Sequence, residues 1–492
     1  MQGKKQYREK LFVSFQLSDH VPEDNFYRRL MDAVDFRFLS KITAKYYGSE
    51  GQKSIDPIVF MKLILVGYLE NINSDRRIIN TSNLRLDIRY FIGYDLDEPL
   101  PWHSTLSRTR QLYGQEVFTQ LFKNVLKQCI EKRMVSGRRQ AIDGVFVKAN
   151  ASLDSMVERE IMEDAEAYGK ELEANKEEEA PAEKMKIVEN DDKNRNGLKP
   201  KKNPHNDTHY SPTDPDAKMS VKPGKATALN YLGEVSVDTA SHVITHIQAF
   251  TADKRDSQCL PEVLKNVINN LKENDLLIDE VIADTGFSSG EALRALEENN
   301  ITGYIPNRPQ FIYNRPGFIY NREGDYYECP NNNKLAYKGT YKDPNGFDKY
   351  YSISKKQCDV CPLRERCAVL SKKGYGIITD TVDKPYYDRM HLRMQTPKAR
   401  RMKKKRQSTV EPVIGTLVNF LGMKRVNTKG IVQANKCVIM AAVAYNLKKM
   451  MQRVTKNIAA NVQALKKEHE QAFEVFICVL TAFKHLGFVM RR

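Results

Sequence analysis

The sequence predicts an α/β protein: a mixed-sheet core, an all-helical N-terminal domain and two insertions, one charged and helical, one cysteine-containing and β-rich. Three observations lead there. Short apolar runs of strand character alternate with helical stretches between residues 139 and 305. The first 135 residues carry helical spacing and few strand patterns. The composition then shifts twice, to Glu, Lys and Ala after Ser152 and to Tyr, Gly, Pro, Asn and Cys after Ile305.

Residues 1–135 read as short helices. Ile58 to Leu69 follows Asp56-Pro57, with Ser54 or Asp56 as N-cap and proline in the first helical position. Ser74-Asp-Arg-Arg77 starts a second helix. A third starts at Ser104, in His103-Ser-Thr-Leu-Ser-Arg-Thr-Arg110, with Arg108 and Arg110 near its front. Short helices joined by tight turns fit a helix-turn-helix reader of nucleic acid. A helical bundle with solvated arginines fits the same pattern.

Residues 136–152 open the core with a strand over 139–149. Residues 153–225 form the charged insertion, read as a helix followed by a mobile loop. The core resumes over 226–305. Thr227–Asp238 and His242–Phe250 alternate as a hairpin, without an Asn-Gly turn. Leu260–Leu271 reads as a helix, Leu276–Asp284 as a buried strand, Ser289–Asn299 as a helix and Ile301–Ile305 as a fifth strand. This order of elements matches the RNase H-like fold. Residues 306–397 form the β-rich insertion. Residues 398–450 complete the core, with helices resuming at 407, and 451–492 form a helical tail.

The formal net charge is +16 and the pI about 9.2, which points to a polyanionic partner. No run of 18 apolar residues exists, so a membrane span is not expected. The N-terminus lacks the apolar stretch of a secretory signal. The apolar tail Phe473–Met490 is broken by Lys484 and His485 and reads as a packed amphipathic helix. Eight cysteines in 492 residues, four of them clustered, suit a reducing compartment, and the cytoplasm is the expected location.

Three acids stand out. Asp143 lies within the apolar run Ala141-Ile-Asp-Gly-Val-Phe-Val147, and Asp284 ends another at Ile282-Ala-Asp284-Thr-Gly286. Glu411 is placed at the opening of a helix, directly after Lys398–Arg406, where seven of nine residues are basic. Each has a local reading: Asp-Gly and Asp-Thr-Gly mark turns, and Ser408-x-x-Glu411 fits a capping box with Pro412 in the first turn. Together, two strand carboxylates and one helix carboxylate suit a pair of divalent cations for phosphodiester displacement, Mg²⁺ or Mn²⁺ by their hard oxygen donors. Glu328, Asp380 and Asp388 are less well placed alternatives to Glu411. Arg400, Arg401, Lys403, Lys404, Lys405 and Arg406, with Lys424 and Arg425 beyond Glu411, are candidates for gripping phosphates.

Cys358-x₂-Cys361-x₅-Cys367 follows Cys329 in the β-rich insertion. Four thiolates on turns can bind structural Zn²⁺; an iron–sulfur centre or free thiols are the other readings. Cys129, Cys259, Cys437 and Cys478 sit in apolar helical contexts and read as core residues. His103 reads as structural or a cap.

With these motifs in place the chain resembles bacterial insertion-sequence transposases of the DDE type, in the branch with a helical N-terminal domain before an RNase H-like core. The resemblance covers nearly the whole chain. It is carried by Asp56-Pro-Ile-Val-Phe-Met-Lys62, Ser74-Asp-Arg-Arg77, His103-Ser-Thr-Leu-Ser-Arg108, Ile142-Asp-Gly-Val-Phe-Val-Lys-Ala-Asn-Ala-Ser152, Ser211-Pro-Thr-Asp-Pro-Asp-Ala217, Ala283-Asp-Thr-Gly-Phe-Ser-Ser289, Val410-Glu-Pro-Val-Ile-Gly415, Thr428-Lys-Gly430 and Tyr445-Asn-Leu-Lys-Lys449. It implies that Asp143, Asp284 and Glu411 hold two Mg²⁺ ions, and that the reaction frees a 3′-OH at each element end and joins it to target DNA. Some members carry a Tyr–Arg–Glu–Lys pattern around the glutamate; here Val418 stands where the lysine would be, so that pattern does not carry over. The implied partner is double-stranded DNA, at transposon ends and target, with a homodimer or larger assembly at synapsis and a nucleoid-associated bacterial location. A DNA-binding protein that has lost transposition, and a metal-dependent nuclease without strand transfer, are the competing functions.

Overall fold

In the computed structural model of the chain the described residues are 15–48, 50, 54–159, 205–221, 226–343 and 346–453. Most of the predicted charged helix and loop, the tail beyond 453 and Cys478 lie outside them. The described residues form two compact units: those within Met1–Met134 and Ala442–Arg492, and those within Val135–Ala441. Among them no helix is long and apolar enough to cross a membrane.

The first unit is helical. At its centre lies α1 (Pro57–Leu69). The Asp56 side chain accepts hydrogen bonds from the backbone N–H groups of Ile58 and Val59, and Pro57 lacks a donor where none is needed. Phe60, Leu63, Ile64 and Val66 are all buried, so α1 is covered all round as a core helix. Around it are α2 (Asp75–Leu84, capped by Ser74), α3 (Leu86–Ile92), α4 (His103–Leu112) and α5 (Gln115–Glu131). A Cβ on Gly67 would stand 2.6 Å from Ile78 Cδ1, so α2 packs against bare backbone of α1. Lys448 donates to the Leu69 carbonyl at 2.9 Å, placing a cation on the C-terminal end of α1. The stretch 93–102 separates α3 from α4, where a helix-turn-helix reading expects a tight turn.

The second unit holds the sheet. Its strands are β1 (Arg139–Lys148), β2 (Lys218–Ser220), β3 (Ala228–Asp238), β4 (Ile244–Thr251), β5 (Glu280–Ile282) and β6 (Thr302–Tyr304). One edge of β3 pairs antiparallel with β1; the other is shared by β2 at its start and β4 along the rest. β5 joins the far edge of β1 in parallel, and β6 joins β5 in parallel. The order β4-β3-β1-β5-β6, three antiparallel strands then two parallel ones, makes the core RNase H-like. β3 is buried along nearly its whole length, as a strand covered on both faces must be.

Between these strands lie α6 (Asp256–Lys272) and α7 (Gly290–Glu298). α6 starts at Asp256 rather than Leu260 and carries Pro261 inside it. Pro261 has no N–H to offer the Ser257 carbonyl, which accepts from Ser289 Oγ instead, at 3.4 Å. β5 is shorter than the apolar run predicts. Leu277 is 75% exposed, because only Arg139–Ala141 of β1 offers β5 an edge.

The insertion after β6 is a five-stranded antiparallel meander: β7 (Ile319–Asn321), β8 (Tyr326–Glu328), β9 (Lys334–Asp343), β10 (Gly346–Ser352) and β11 (Ile377–Thr381). Its buried core is small: Tyr327, Leu335, Tyr351, Ile353, Cys358 and Ile378. Helices then resume at α8 (Lys384–Met394) and α9 (Pro397–Phe420), well before residue 407. Lysine and arginine are good helix formers, and Thr396 caps Ala399 with Pro397 in the first position. The basic run is therefore helix, not a solvated coil. A last helical stretch covers 431–453.

The motif Ser211–Ala217 is a clasp inside this unit. Buried Asp214 accepts from the Tyr231 hydroxyl at 2.6 Å and from Gly430 N–H at 3.0 Å, while Asp216 accepts from Ile431 N–H at 2.8 Å. It fixes the start of the last helix to β3.

Lys398 of α9 and Arg139 of β1 both bond Glu280 of β5, each at 2.5 Å. Burial pushes this carboxyl up, but the two cations outweigh it and hold it below its ordinary value. A lowered carboxylate stabilises the fold above its unfolded-state value, near 4.3, and that stability is lost as the pH falls through the folded-state value. Glu280→Gln is expected to cost about 1–2 kcal/mol at neutral pH. The gap between variant and parent should close below about pH 4; thermal melting across pH checks it, and a gap that stays constant into acid would refute the ion-pair account.

Candidate active site

β1 and β5 pair only as far as Ala141↔Ile282. Two residues beyond that pair on each chain segment come Asp143 and Asp284, close enough for the Asp284 charge to act on Asp143. Asp143 Oδ1 accepts from Gly144 N–H at 2.9 Å and Oδ2 from Arg406 Nη1 at 2.7 Å. Asp284 Oδ1 accepts from Gly286 N–H at 2.8 Å, capping the turn Thr285–Phe287. Burial raises the Asp143 carboxyl; the Arg406 charge opposes this, the Asp284 charge adds to it, and the result is about 6.

Arg406 reaches Asp143 because of its phase on α9. The buried stripe of that helix runs through Ala399, Met402, Thr409, Val410, Val413 and Leu417, and Arg406 falls on it one turn after Met402. Its side chain is only 13% exposed. Without a bound anion, Arg406 is thus paired with a carboxylate of the site itself. Its Nη2 lies 3.5 Å from Glu411 Oε1, so Glu411 is joined to Asp143 through this guanidinium. Glu411 does not open a helix. It lies in the middle of α9, and Ser408 donates its hydroxyl to the Lys405 carbonyl rather than forming a capping box.

The other basic residues of α9 face outward: Arg400, Arg401, Lys403 and Lys404 are exposed and Lys405 is half-buried. Lys403 and Arg406 also line a cleft of about 100 Å³ with Asp284, Thr285 and Tyr304. Exposed Lys424 and Arg425 lie beside the end of β1, where Val426 N–H donates to the Lys148 carbonyl at 2.9 Å and Arg425 donates to Asn150 Oδ1 at 3.0 Å. Asp380 and Asp388 belong elsewhere: both pair with Lys384, and Asp380 also accepts from the Tyr327 hydroxyl. Glu328 lies on β8 of the small sheet.

Two acids of this site escape a reading for motifs. Glu234 of β3 lies opposite Gly144, is fully buried, and has no donor at either carboxylate oxygen. Burial and neighbouring Asp256 push it well above the ordinary range. Asp256 opens α6. Their trace in the sequence is a glutamate amid the apolar Tyr231–Val237 run and glycines directly after Asp143 and near Asp284.

In the first unit the two predicted arginines separate. Arg110 is buried and makes a two-pronged ion pair with Asp75, at 2.6 and 2.9 Å, tying α4 to α2. It is structural and not available to a DNA backbone. Arg108 is exposed. Arg76, Arg77 and Trp102, the last 78% exposed, are surface residues not singled out from the sequence. His103 Nε2 lies 3.2 Å from Arg76 Nη2.

The cysteines Cys329, Cys358, Cys361 and Cys367 form no disulfide. Cys358 is in the core of the small sheet, and Cys367, Cys361 and Cys329 are close enough to add to the upward shift that burial gives it. Cys129, Cys259 and Cys437 are buried, as core residues are. Among the described residues no group of three or more His, Cys, Asp or Glu side chains is arranged to hold a metal ion as it stands. At the acid site the donors are all oxygens, which fits a hard divalent cation, and Arg406 lies between two of them.

The comparisons with known proteins point to transposase domains. Residues 15–112 match the family described as Transposase domain (DUF772), and residues 328–451 match Transposase DDE domain. Together the two matches support a DDE-type transposase. No curated protein matches the chain. Among solved structures it is similar to that titled "Cryo-EM structure of piggyBac transposase synaptic complex with hairpin DNA (SNHP)", at 10% identity and a TM-score of 0.32, covering 87% of this chain and 74% of that one; so distant a likeness carries no argument.

Breaking a buried ion pair from one side costs about 3–5 kcal/mol. Arg110→Ala should therefore lower the melting temperature of the protein sharply, while Arg108→Ala leaves it unchanged. Equal melting temperatures for the two variants would refute the assignment of Arg110 to the fold.

Proposed function

We propose that this chain is a DNA transposase that binds the terminal inverted repeats of an insertion sequence, cleaves the ends by metal-dependent phosphodiester hydrolysis and joins the freed 3′-OH to target DNA. The observation that carries this reading is the meeting of Asp143 and Asp284 in one opening of the sheet, with α9 delivering Arg406 and Glu411 to the same place. Asp143, Asp284 and Glu411 would hold Mg²⁺, two ions in all, or Mn²⁺. When bound, such ions activate the attacking oxygen and stabilise the leaving one.

The chain's own residues supply the rest. Arg406 neutralises Asp143 until DNA arrives, and a backbone phosphate is the natural anion for its guanidinium to take instead. Arg400, Arg401, Lys403, Lys404 and Lys405 of α9, with Lys424 and Arg425, grip phosphates along the approach. Arg108 of the first unit takes part in reading the ends, together with the exposed Arg76, Arg77 and Trp102. Two ends must be brought together, so the working form is a homodimer or a larger assembly, in the cytoplasm at the nucleoid. Cys329, Cys358, Cys361 and Cys367 take one structural Zn²⁺, which supports a sheet whose own buried core is small.

Purified protein with labelled DNA carrying the sequence that flanks the gene, in Mg²⁺ or Mn²⁺, should cut at the repeat boundary and give strand-transfer products; Asp284→Ala should abolish both. Cutting without joining would favour a nuclease, and tight binding with no cutting in either metal a DNA-binding protein that has lost transposition. Elemental analysis should find one zinc per chain in the parent and none in Cys358→Ser. A zinc-free parent with an intact melting curve would refute the thiolate site.

A further inference from the structure

We infer that Asp256 is a fourth carboxylate of the metal site, entering it through the gaps left by Gly144 and Gly286. This rests on the reading of Asp143 and Asp284 given above. A Cβ built on Gly144 would stand 2.6 Å from Asp256 Oδ1, and one on Gly286 would stand 2.7 Å from Asp256 Oδ2. The Asp256 carboxylate therefore spans the residue after Asp143 and the turn after Asp284. The same point on Gly286 is 2.9 Å from Asp284 Oδ1, so both aspartates crowd the one glycine. A side chain at either glycine would displace the Asp256 carboxylate.

A second, independent observation points to a cation. Glu234 is buried to 0% exposure, its Oε1 lies 3.2 Å from the same Gly144 point, and neither oxygen accepts from an N–H or hydroxyl group, the Asp256 carboxyl being its hydrogen-bonding neighbour. A buried carboxylate without a donor is costly. Four carboxyl groups, Asp143, Glu234, Asp256 and Asp284, thus crowd the place where β1 and β5 part, and Arg406 bonds Asp143 there. Like charges at such spacing repel unless a cation or a proton lies between them. A divalent ion held by Asp256 with Asp284 supplies that charge. The acid position at the start of α6 also suits the helix dipole, but a dipole contact alone would not require glycine at both 144 and 286.

The test is Mn²⁺ binding by the full-length protein without DNA, measured by calorimetry and by the electron paramagnetic resonance of free Mn²⁺, with metal-free melting as the check on folding. Asp256→Asn should weaken Mn²⁺ about tenfold or more while its metal-free melting temperature holds or rises, because a repulsive charge is gone. Gly144→Ala, which leaves every acid in place but puts a methyl against Asp256, should weaken Mn²⁺ as well and serves if Asp256→Asn does not fold. Parental Mn²⁺ affinity in either folded variant overturns the inference. Asp284→Asn runs beside them. If it loses Mn²⁺ and Asp256→Asn does not, only the fourth ligand fails; if neither loses it, the metal-site reading of the proposed function fails too.

Discussion

Arg406 and Asp143 form the pairing around which the second unit is arranged. A carboxylate in the interior of a sheet is tolerable only with a partner, and β1 carries Asp143 where β5 can no longer cover it. α9 must therefore cross the sheet in the phase that turns Arg406 inward. That phase buries Met402, Val410, Val413 and Leu417 on the same stripe and leaves Arg400, Arg401, Lys403 and Lys404 on the outer faces. Lys398, two turns earlier, closes the contact from the other end by pairing with Glu280 of β5. One helix thus supplies core packing, the counter-charge of the acid cluster and a basic exterior.

Much of this was legible from residues alone, for identifiable reasons. The strands stand out because their apolar runs end in acids and glycines that interrupt them. The cap at Asp56-Pro57 and the start at Ser74 are legible because capping is local chemistry. What stayed hidden depends on helical phase or on distance across the sheet. Placing the start of α9 after the basic run hides which of its cations face inward, so Arg406 looks like one more phosphate contact. Arg110 is misread the same way: a position near the front of a helix says nothing about its face, and Leu106, Thr109 and Arg110 all turn inward. Glu234 reads as an ordinary interruption of a strand until β1 is laid beside it and Gly144 falls opposite.

The two insertions show the limits of composition from another side. The Ser211–Ala217 segment belongs to a stretch that charge and proline content assign to a loop, yet Asp214 and Asp216 make it a clasp on Tyr231 and on the start of the last helix. Backbone N–H groups at a helix start are unsatisfied by the helix itself, and a buried aspartate is a strong acceptor for them. The polar atoms of this segment are engaged by specific partners instead of by water. The tyrosine-rich insertion is the reverse case. Its turns are legible, yet its sheet is held by few buried side chains, and Cys358 is one of them.

Seen through its charges, the acid cluster differs from the basic surface in kind. Outward lysines and arginines on α9 are screened by salt and contribute mainly long-range attraction for a polyanion. The inward set is partly shielded from solvent, where a single charge counts for far more. Arg406 belongs to both sets, bonded to Asp143 yet lining the cleft beside Asp284 and Lys403. A phosphate entering that cleft would compete with Asp143 for the same guanidinium, and the carboxylate so released would be left without its counter-charge. On the proposed function, anion and cation would be required together: DNA to draw Arg406 away, and a divalent ion to take its place beside Asp143. A site balanced in this way would stay quiet without DNA through its electrostatics.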